Sequence, residues 1–153
     1  MDQERNMSTF AIADPSFHPL MLSSRLISEL AHARSTLRAT TERCDLAVIV
    51  SAGGELDASN DAVWRRLLSE AAAAAGPPGP LVVDISGLDF MGCCAYAALA
   101  EEAERCRIRG VEMRLVTNQP VVSRILKACG LGAALPVDVS VDAALSTCIL
   151  VDC

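Results

Sequence analysis

The sequence predicts an α/β fold: a mixed, mostly parallel β-sheet with an antiparallel hairpin at its N-terminal edge, flanked by about four helices. Three observations carry this. Short apolar runs, "LAVIVSA" at 46–52 and "LVVDI" at 81–85, alternate with segments of helical periodicity. A strand-like stretch, "STLRATTE" at 35–42, leads through the turn "RCD" into the first of those runs, as in a hairpin. The length, 153 residues, suits one domain whose core needs neither disulfides nor metal.

Residues 1–34 read as an N-terminal extension. "ADPSFHPL" is turn-like, with two prolines. Leu22, Leu26, Ile27, Leu30 and Ala33 then recur at helical spacing, so a short amphipathic helix is expected. It would lie on its own domain or on a second copy of the chain, leaving a homodimer open. Its polar face is not strongly basic, which argues against a membrane-surface helix. The hairpin follows, and "GGELD" at 53–57 ends its second strand, with Gly53 and Gly54 permitting unusual backbone angles.

"ASNDAVWRRLLSEAAAAA" is a helix with Ala62, Val63, Leu67, Ala71 and Ala75 in one stripe and Trp64 in the core; "GPPGP" stops it. "LVVDI" suits a strand buried on both faces. The next helix spans about 94–108, with Cys94, Ala98, Leu99, Ala103 and Cys106 inward and Gly110 as its stop. "VEMRLV" is a strand. Asn118 caps a helix with Pro120 in its first turn, Val121, Val122, Ile125, Leu126 and Cys129 inward, and Gly130 as its stop. "LPV" is a last short strand, and Ser140 caps a final helix. The division is an extension at 1–34, a folded domain at 35–147 and a tail at 148–153.

Composition narrows the function. Apolar residues make up 52% of the chain, which places it among globular proteins, and the formal charge of −6 argues against nucleic acid as a partner. An acidic chain is freer to meet a basic protein surface. No apolar run reaches the roughly 18 residues of a membrane span. "MDQERNMSTF" lacks the basic start and apolar stretch of a signal peptide, so a cytoplasmic protein with reduced cysteines is expected. The seven cysteines are odd in number and irregularly spaced, there is no CxxC, and His18 and His32 both lie in the first 32 residues. No metal or cofactor is expected. Nucleotide-binding glycine motifs are missing, as is GxSxG, and no histidine lies in the α/β region to serve a cysteine or serine as base. An enzyme is therefore not expected.

Three segments carry a family resemblance: "GELD" after the buried strand, "VVDISGLDFMGCCAYAAL" as strand–loop–helix, and "RGVEMRLV" with "VSRILKACGL" behind it. Over about residues 35–145 the chain resembles a STAS domain of the type that serves as anti-sigma factor antagonist in bacteria. In that family the central stretch reads D-hydrophobic-S-x-hydrophobic-x-F-hydrophobic-D-S-S-G. Asp84, Ile85, Ser86, Leu88, Phe90 and Met91 match it; Gly92, Cys93, Cys94 and Ala95 replace the D-S-S-G. The resemblance implies a protein that binds an anti-sigma factor of kinase-like ATPase fold and so frees a sigma factor. It implies a docking face of Asp57, Ser59, Ser86, Asp89, Met91, Gly92, Cys93, Cys94 and Tyr96. Cys94 stands where the family has the serine that its partner kinase phosphorylates, so that switch is removed.

The residues themselves suggest what the thiols do. They fall in the first turn of a helix, where unpaired N–H groups and the helix dipole lower a thiol's pKa. The redox candidates are Cys93, Cys94, Cys106 and Cys129, with Cys106 and Cys129 expected toward the opposite end of the sheet from Cys93; Cys148 and Cys153 sit near the tail. Alternatively, cysteine is a small apolar substitute for serine that locks the antagonist on, or regulation lies at Ser59, Ser86 or Thr117. A thiol-redox protein and a small-ligand or nucleotide-sensing STAS protein are the other functions carried forward. Asp57 is expected to cap the following helix, Asp84 to accept from backbone N–H groups, and Asp89 to be solvated. Glu101, Glu102, Glu104, Arg105, Arg107 and Arg109 are expected on a solvated helix face, whose outward members are candidate partner contacts.

Overall fold

The computed structural model describes residues 17–32, 34–132 and 134–152, the last six of them by backbone alone. Six strands lie side by side in chain order: β1 (Phe17–Pro19), β2 (Leu37–Cys44), β3 (Ala47–Leu56), β4 (Leu81–Met91), β5 (Met113–Val116) and β6 (Val137–Asp138). The first three are antiparallel neighbours, and the pairs from β3 to β6 are parallel. Five helices accompany them: α1 (Ser24–Leu30), α2 (Asp61–Ala74), α3 (Cys93–Arg109), α4 (Pro120–Ala128) and α5 (Val141–Asp152). The predicted fold class holds, with one more strand at the antiparallel edge.

Three consecutive parallel crossovers of one hand put α2, α3 and α4 on the same face of the sheet. The main core shows it. Leu67, Leu99 and Leu126, one from each helix, pack in one cluster with Val48, Val50, Leu81, Val83, Met113 and Leu115. Alternate residues point to the other face, where Ile49, Val82 and Val116 meet Ala144 of α5. Both faces are covered, which is why these strands read as unbroken apolar runs. On that second side Arg114 is buried between Asp138, at 2.7 and 3.2 Å, and Glu112, at 2.6 Å. Those bonds tie β5 to β6, which is only two residues long.

The N-terminal part is less separate than its sequence suggests. Phe17–Pro19 is an edge strand rather than a turn, paired with Glu42–Cys44; an edge tolerates the missing N–H of Pro19. Leu26 of α1 is fully buried in the main core, while Ile27 is half exposed. Ser23 caps α1, and its N–H and Oγ donate to the Glu70 carboxylate at 2.8 and 2.6 Å. Glu29 pairs with Arg66. Two polar clamps and one apolar anchor thus hold α1 on α2. Ala33 lies outside the described residues. At the other end, the backbone of α5 continues to Asp152, into the segment expected to be a tail.

Smaller differences have local causes. In α2 Ala62 is exposed, and Trp64, Leu67, Leu68, Ala71 and Ala72 face inward. Asn118 is not the cap of α4; Gln119 holds that position, with Pro120 opening the helix. Gly110 stops α3 in the left-handed region at φ 80°. The Oγ of Ser140 accepts from the Ala143 N–H at 3.0 Å, capping α5 as expected.

Candidate functional site

Of the two loops anticipated, "GGELDAS" at 53–59 and "SGLDFMGCCA" at 86–95, the parts up to Leu56 and Met91 are strand. β3 runs to Leu56 and β4 to Met91, paired through Gly53–Gly87, Gly54–Leu88, Glu55–Phe90 and Leu56–Met91 with two register shifts. Glycine makes this close pairing possible. A Cβ on Gly87 would stand 3.1 Å from the Ala52 carbonyl oxygen. Gly54 has φ +92°, and a Cβ there would fall 1.9 Å from the Thr36 carbonyl oxygen. The irregular pairing bends both strand ends together, and the Gly92 N–H donates to the Leu56 carbonyl at 2.8 Å.

Asp57 follows directly and caps a single 3₁₀ turn, Ala58–Asn60, that leads into α2. Its Oδ1 accepts from the Ser59 N–H at 2.9 Å and from Ser59 Oγ at 2.5 Å. The Ser59 hydroxyl, then the backbone N–H groups, hold the Asp57 carboxyl below the usual carboxylate range. Asn60 completes the box. Its Oδ1 accepts from the Asp57 N–H at 3.0 Å, and its Nδ2 donates to the Glu55 carbonyl at 2.8 Å and to Thr36 Oγ1 at 3.1 Å. Asn60 is buried and joins β2, β3 and the turn into one rigid unit. Sequence reasoning missed it, although an Asp followed three residues later by Asn is a capping-box spacing.

Across from this unit, Gly92 caps α3 without a side-chain hydrogen bond, and Cys93 is the first helical residue. Cys93 is exposed and Cys94 half-buried. Inward positions belong to Ala95, Tyr96, Ala98, Leu99, Glu102, Ala103 and Cys106, so Cys94 stands at the margin of the buried stripe rather than inside it. Trp64 Nε1 donates to the Ala95 carbonyl at 3.2 Å, pinning the first turn of α3 to α2. The structure therefore gathers Asp57, Ser59, Met91, Gly92, Cys93 and Cys94 at one end of the sheet, with Tyr96 a turn further along the helix. Asp89 is exposed on β4 two residues before Met91. Ser86 is set apart: it lies five residues before Met91, about 16 Å along the strand, half-buried, with its N–H on Asp84 Oδ1 at 2.9 Å.

The thiols differ sharply in setting. Cys106 is fully buried, and burial pushes its thiol up. It is thirteen residues from Cys93 on the same helix, about 20 Å away, so the two cannot join within one chain. Cys129 is exposed just beyond α4. Burial raises the Tyr96 hydroxyl first, and the charges of Cys129 and then Cys93 raise it further. Cys148 and Cys153 lie outside the residues whose side chains are described. Among the described residues no group of three His, Cys, Asp or Glu is placed to hold a metal ion.

One expectation for the α3 face is corrected. Glu102 is buried, accepting from Arg105 at 3.0 and 3.3 Å. Glu101 reaches Arg65 of α2 at 2.5 Å, and Arg65 also holds Asp61 at 2.9 Å. The Arg109 guanidinium donates to the Ala72 carbonyl at 2.7 Å. Of this charged set, Glu101 and Arg109 tie α3 to α2, and Glu102 is buried. Helical periodicity alone did not reveal it, because α2 lies beside α3 only in the folded chain.

Comparison with known proteins decides the family. The STAS domain model matches residues 38–144. The chain belongs to the STAS-domain family. It is 54% identical over 132 residues to a Mycobacterium tuberculosis protein named as an anti-anti-sigma factor, Rv2638, covering 86% of this chain and 89% of that one. It is also 54% identical over 112 residues to the anti-sigma-F factor antagonist RsfA of M. tuberculosis, covering 73% of this chain and 88% of that one. Among solved structures, an anti-sigma factor antagonist from Mycobacterium paratuberculosis superposes with a TM-score of 0.65 at 25% identity, over 75% of this chain and 96% of that one. Within this STAS domain, the strand ends and the start of α3 lie together at one end of the sheet. No helix of the described residues is long and apolar enough to cross a membrane.

Proposed function

We propose that this STAS domain is an anti-sigma factor antagonist. It binds an anti-sigma factor of kinase-like ATPase fold and thereby releases a sigma factor, regulating transcription without catalysing a reaction itself. What carries the reading is the 54% identity, over nearly the whole domain, to proteins named as antagonists of this kind. The Asp57–Ser59 turn and the Met91–Cys94 junction form the docking face, joined by the hydrogen bond from Gly92 to Leu56. Such a face is rigid before binding, which lowers the entropic cost of association.

Regulation falls on thiols in this reading, because Cys94 cannot carry the family's phosphate. Cys93 and Cys129 are the accessible candidates. A Cys93 thiolate attacks a low-molecular-weight disulfide, forms one new S–S bond and expels the other half as a thiolate, with no net change in electron count. The bound group then occupies the docking face. The test is calorimetric titration against a cognate anti-sigma factor, with the chain fully reduced and again after treatment with oxidised glutathione, free thiols being counted by intact mass. Saturable one-to-one binding by the reduced chain supports the antagonist, and loss of binding on oxidation supports the switch. No binding in either state rejects the function; equal binding in both rejects only the switch.

A further inference from the structure

We infer that the groove between the end of β4 and α4 receives an apolar side chain of the anti-sigma factor, extending the docking face beyond the residues of the family motif; this rests on the antagonist reading above. Met91, Tyr96, Val122 and Ile125 line the groove together with the polar Asp89 and Gln119, and the exposed Phe90 and Val121 border it. Phe90 is 54% exposed and Val121 44%. An exposed phenylalanine and an exposed valine on one mostly apolar groove are surface that gains by being covered.

Size and position choose the occupant. The cavity is about 190 Å³, smaller than the roughly 300–1,000 Å³ of small-molecule sites, and suits one inserted side chain. It is also continuous with the docking face. Met91 lies both in the groove and next to Gly92 and Cys93, and Tyr96 is one turn of α3 beyond Cys93. A partner seated on Cys93 therefore reaches the groove without a gap. The far wall is held in place: Gln119 Nε2 donates to the Leu88 carbonyl at 3.5 Å, and Val122 is anchored in the main core. Apolar pockets that a partner fills and dries concentrate binding energy in a protein interface.

Val121→Asp tests the inference. Val121 is exposed in the first turn of α4, which contains no acidic residue, so a carboxylate there is favourable to the helix while charging the rim. Ile108→Asp is the control. Ile108 is 70% exposed and lies fifteen residues from Cys93 along α3, about 22 Å away. Each reduced variant is titrated calorimetrically against the anti-sigma factor and melted in parallel. Val121→Asp is expected to weaken binding about tenfold or more, and Ile108→Asp to leave it within about twofold. Unchanged affinity for Val121→Asp, with the parent binding, overturns the groove. Should Val121→Asp melt early, Val121→Thr takes its place: weaker binding supports the groove and parental binding overturns it. A parent that does not bind overturns the antagonist reading and the groove with it.

Discussion

Replacing Cys93 with aspartate separates the stability of α3 from its role in docking. Cys93 opens a helix of seventeen residues whose cap, Gly92, supplies no side-chain acceptor and whose first turn has no acidic residue. No side chain accepts from the N–H groups there, and the positive end of the helix dipole is uncompensated. A carboxylate at this exposed position is expected to stabilise the fold by about 0.3–1 kcal/mol, raising the melting temperature by about 1–4 °C. The same carboxylate is stripped of water when the partner docks. A loss of about 3 kcal/mol, modest for an unpaired charge in an interface, weakens binding about a hundredfold. Cys93→Ser, which adds no charge, is expected to bind like the reduced parent. Urea melts read the first effect and calorimetry against the anti-sigma factor the second, both with reductant present. If Cys93→Asp is as stable as expected yet binds within twofold of the parent, Cys93 is outside the interface and the docking argument fails. If the variant is destabilised, the picture of a solvated, uncapped helix start is wrong.

Other expectations follow from individual residues. Leu26→Ala removes a fully buried side chain and is expected to cost about 2–5 kcal/mol; a cost below about 1 kcal/mol in urea melts means that α1 is not packed on α2. Asn60→Ala deletes three hydrogen bonds of a buried side chain and is expected to cost about 2–3 kcal/mol, with faster amide exchange at Asp57; unchanged exchange there would show that Asn60 does not organise the turn. Because burial raises the Cys106 thiol, its contribution to stability is complete below the unfolded thiol's pKa and is lost as pH rises through the higher folded value. Stability should thus fall above about pH 8.5, and Cys106→Ala should flatten that limb of the pH profile. Among the described cysteines, Cys93 and Cys129 should react first with an aromatic disulfide reagent, Cys94 more slowly and Cys106 only on unfolding; early reaction of Cys106 would contradict its burial.

Much of the fold was legible because its signals are local. Apolar runs covered on both faces, helical stripes, the stop at Gly110 and the cap at Ser140 depend on residues within a turn or two of each other. The motif at Asp84–Met91 was equally legible, and with it the presence of cysteines at the start of α3. Glu102 was misjudged because an acidic residue in a charged stretch reads as solvated; only the neighbouring α2 buries it. The glycines at 53, 54 and 87 suggested loops. Gly53 and Gly87 instead let β3 and β4 pair closely, and Gly54 lets β3 approach Thr36 ahead of β2, demands that appear only when the strands lie together.

The sequence by itself determined the order of elements from β2 onward, the sheet class and the acidic balance of the chain. Each of these is set by composition or by spacing along the chain. Tertiary structure alone decided that the Asp57 turn meets Gly92, that Asn60 joins that turn to Thr36 ahead of β2, and that Phe90 and Val121 share one groove. Those are contacts between residues separated by roughly thirty positions, apart from Asn60, whose bonds also reach back to Thr36. Such contacts exist only after burial of the common core has drawn the strands and helices together.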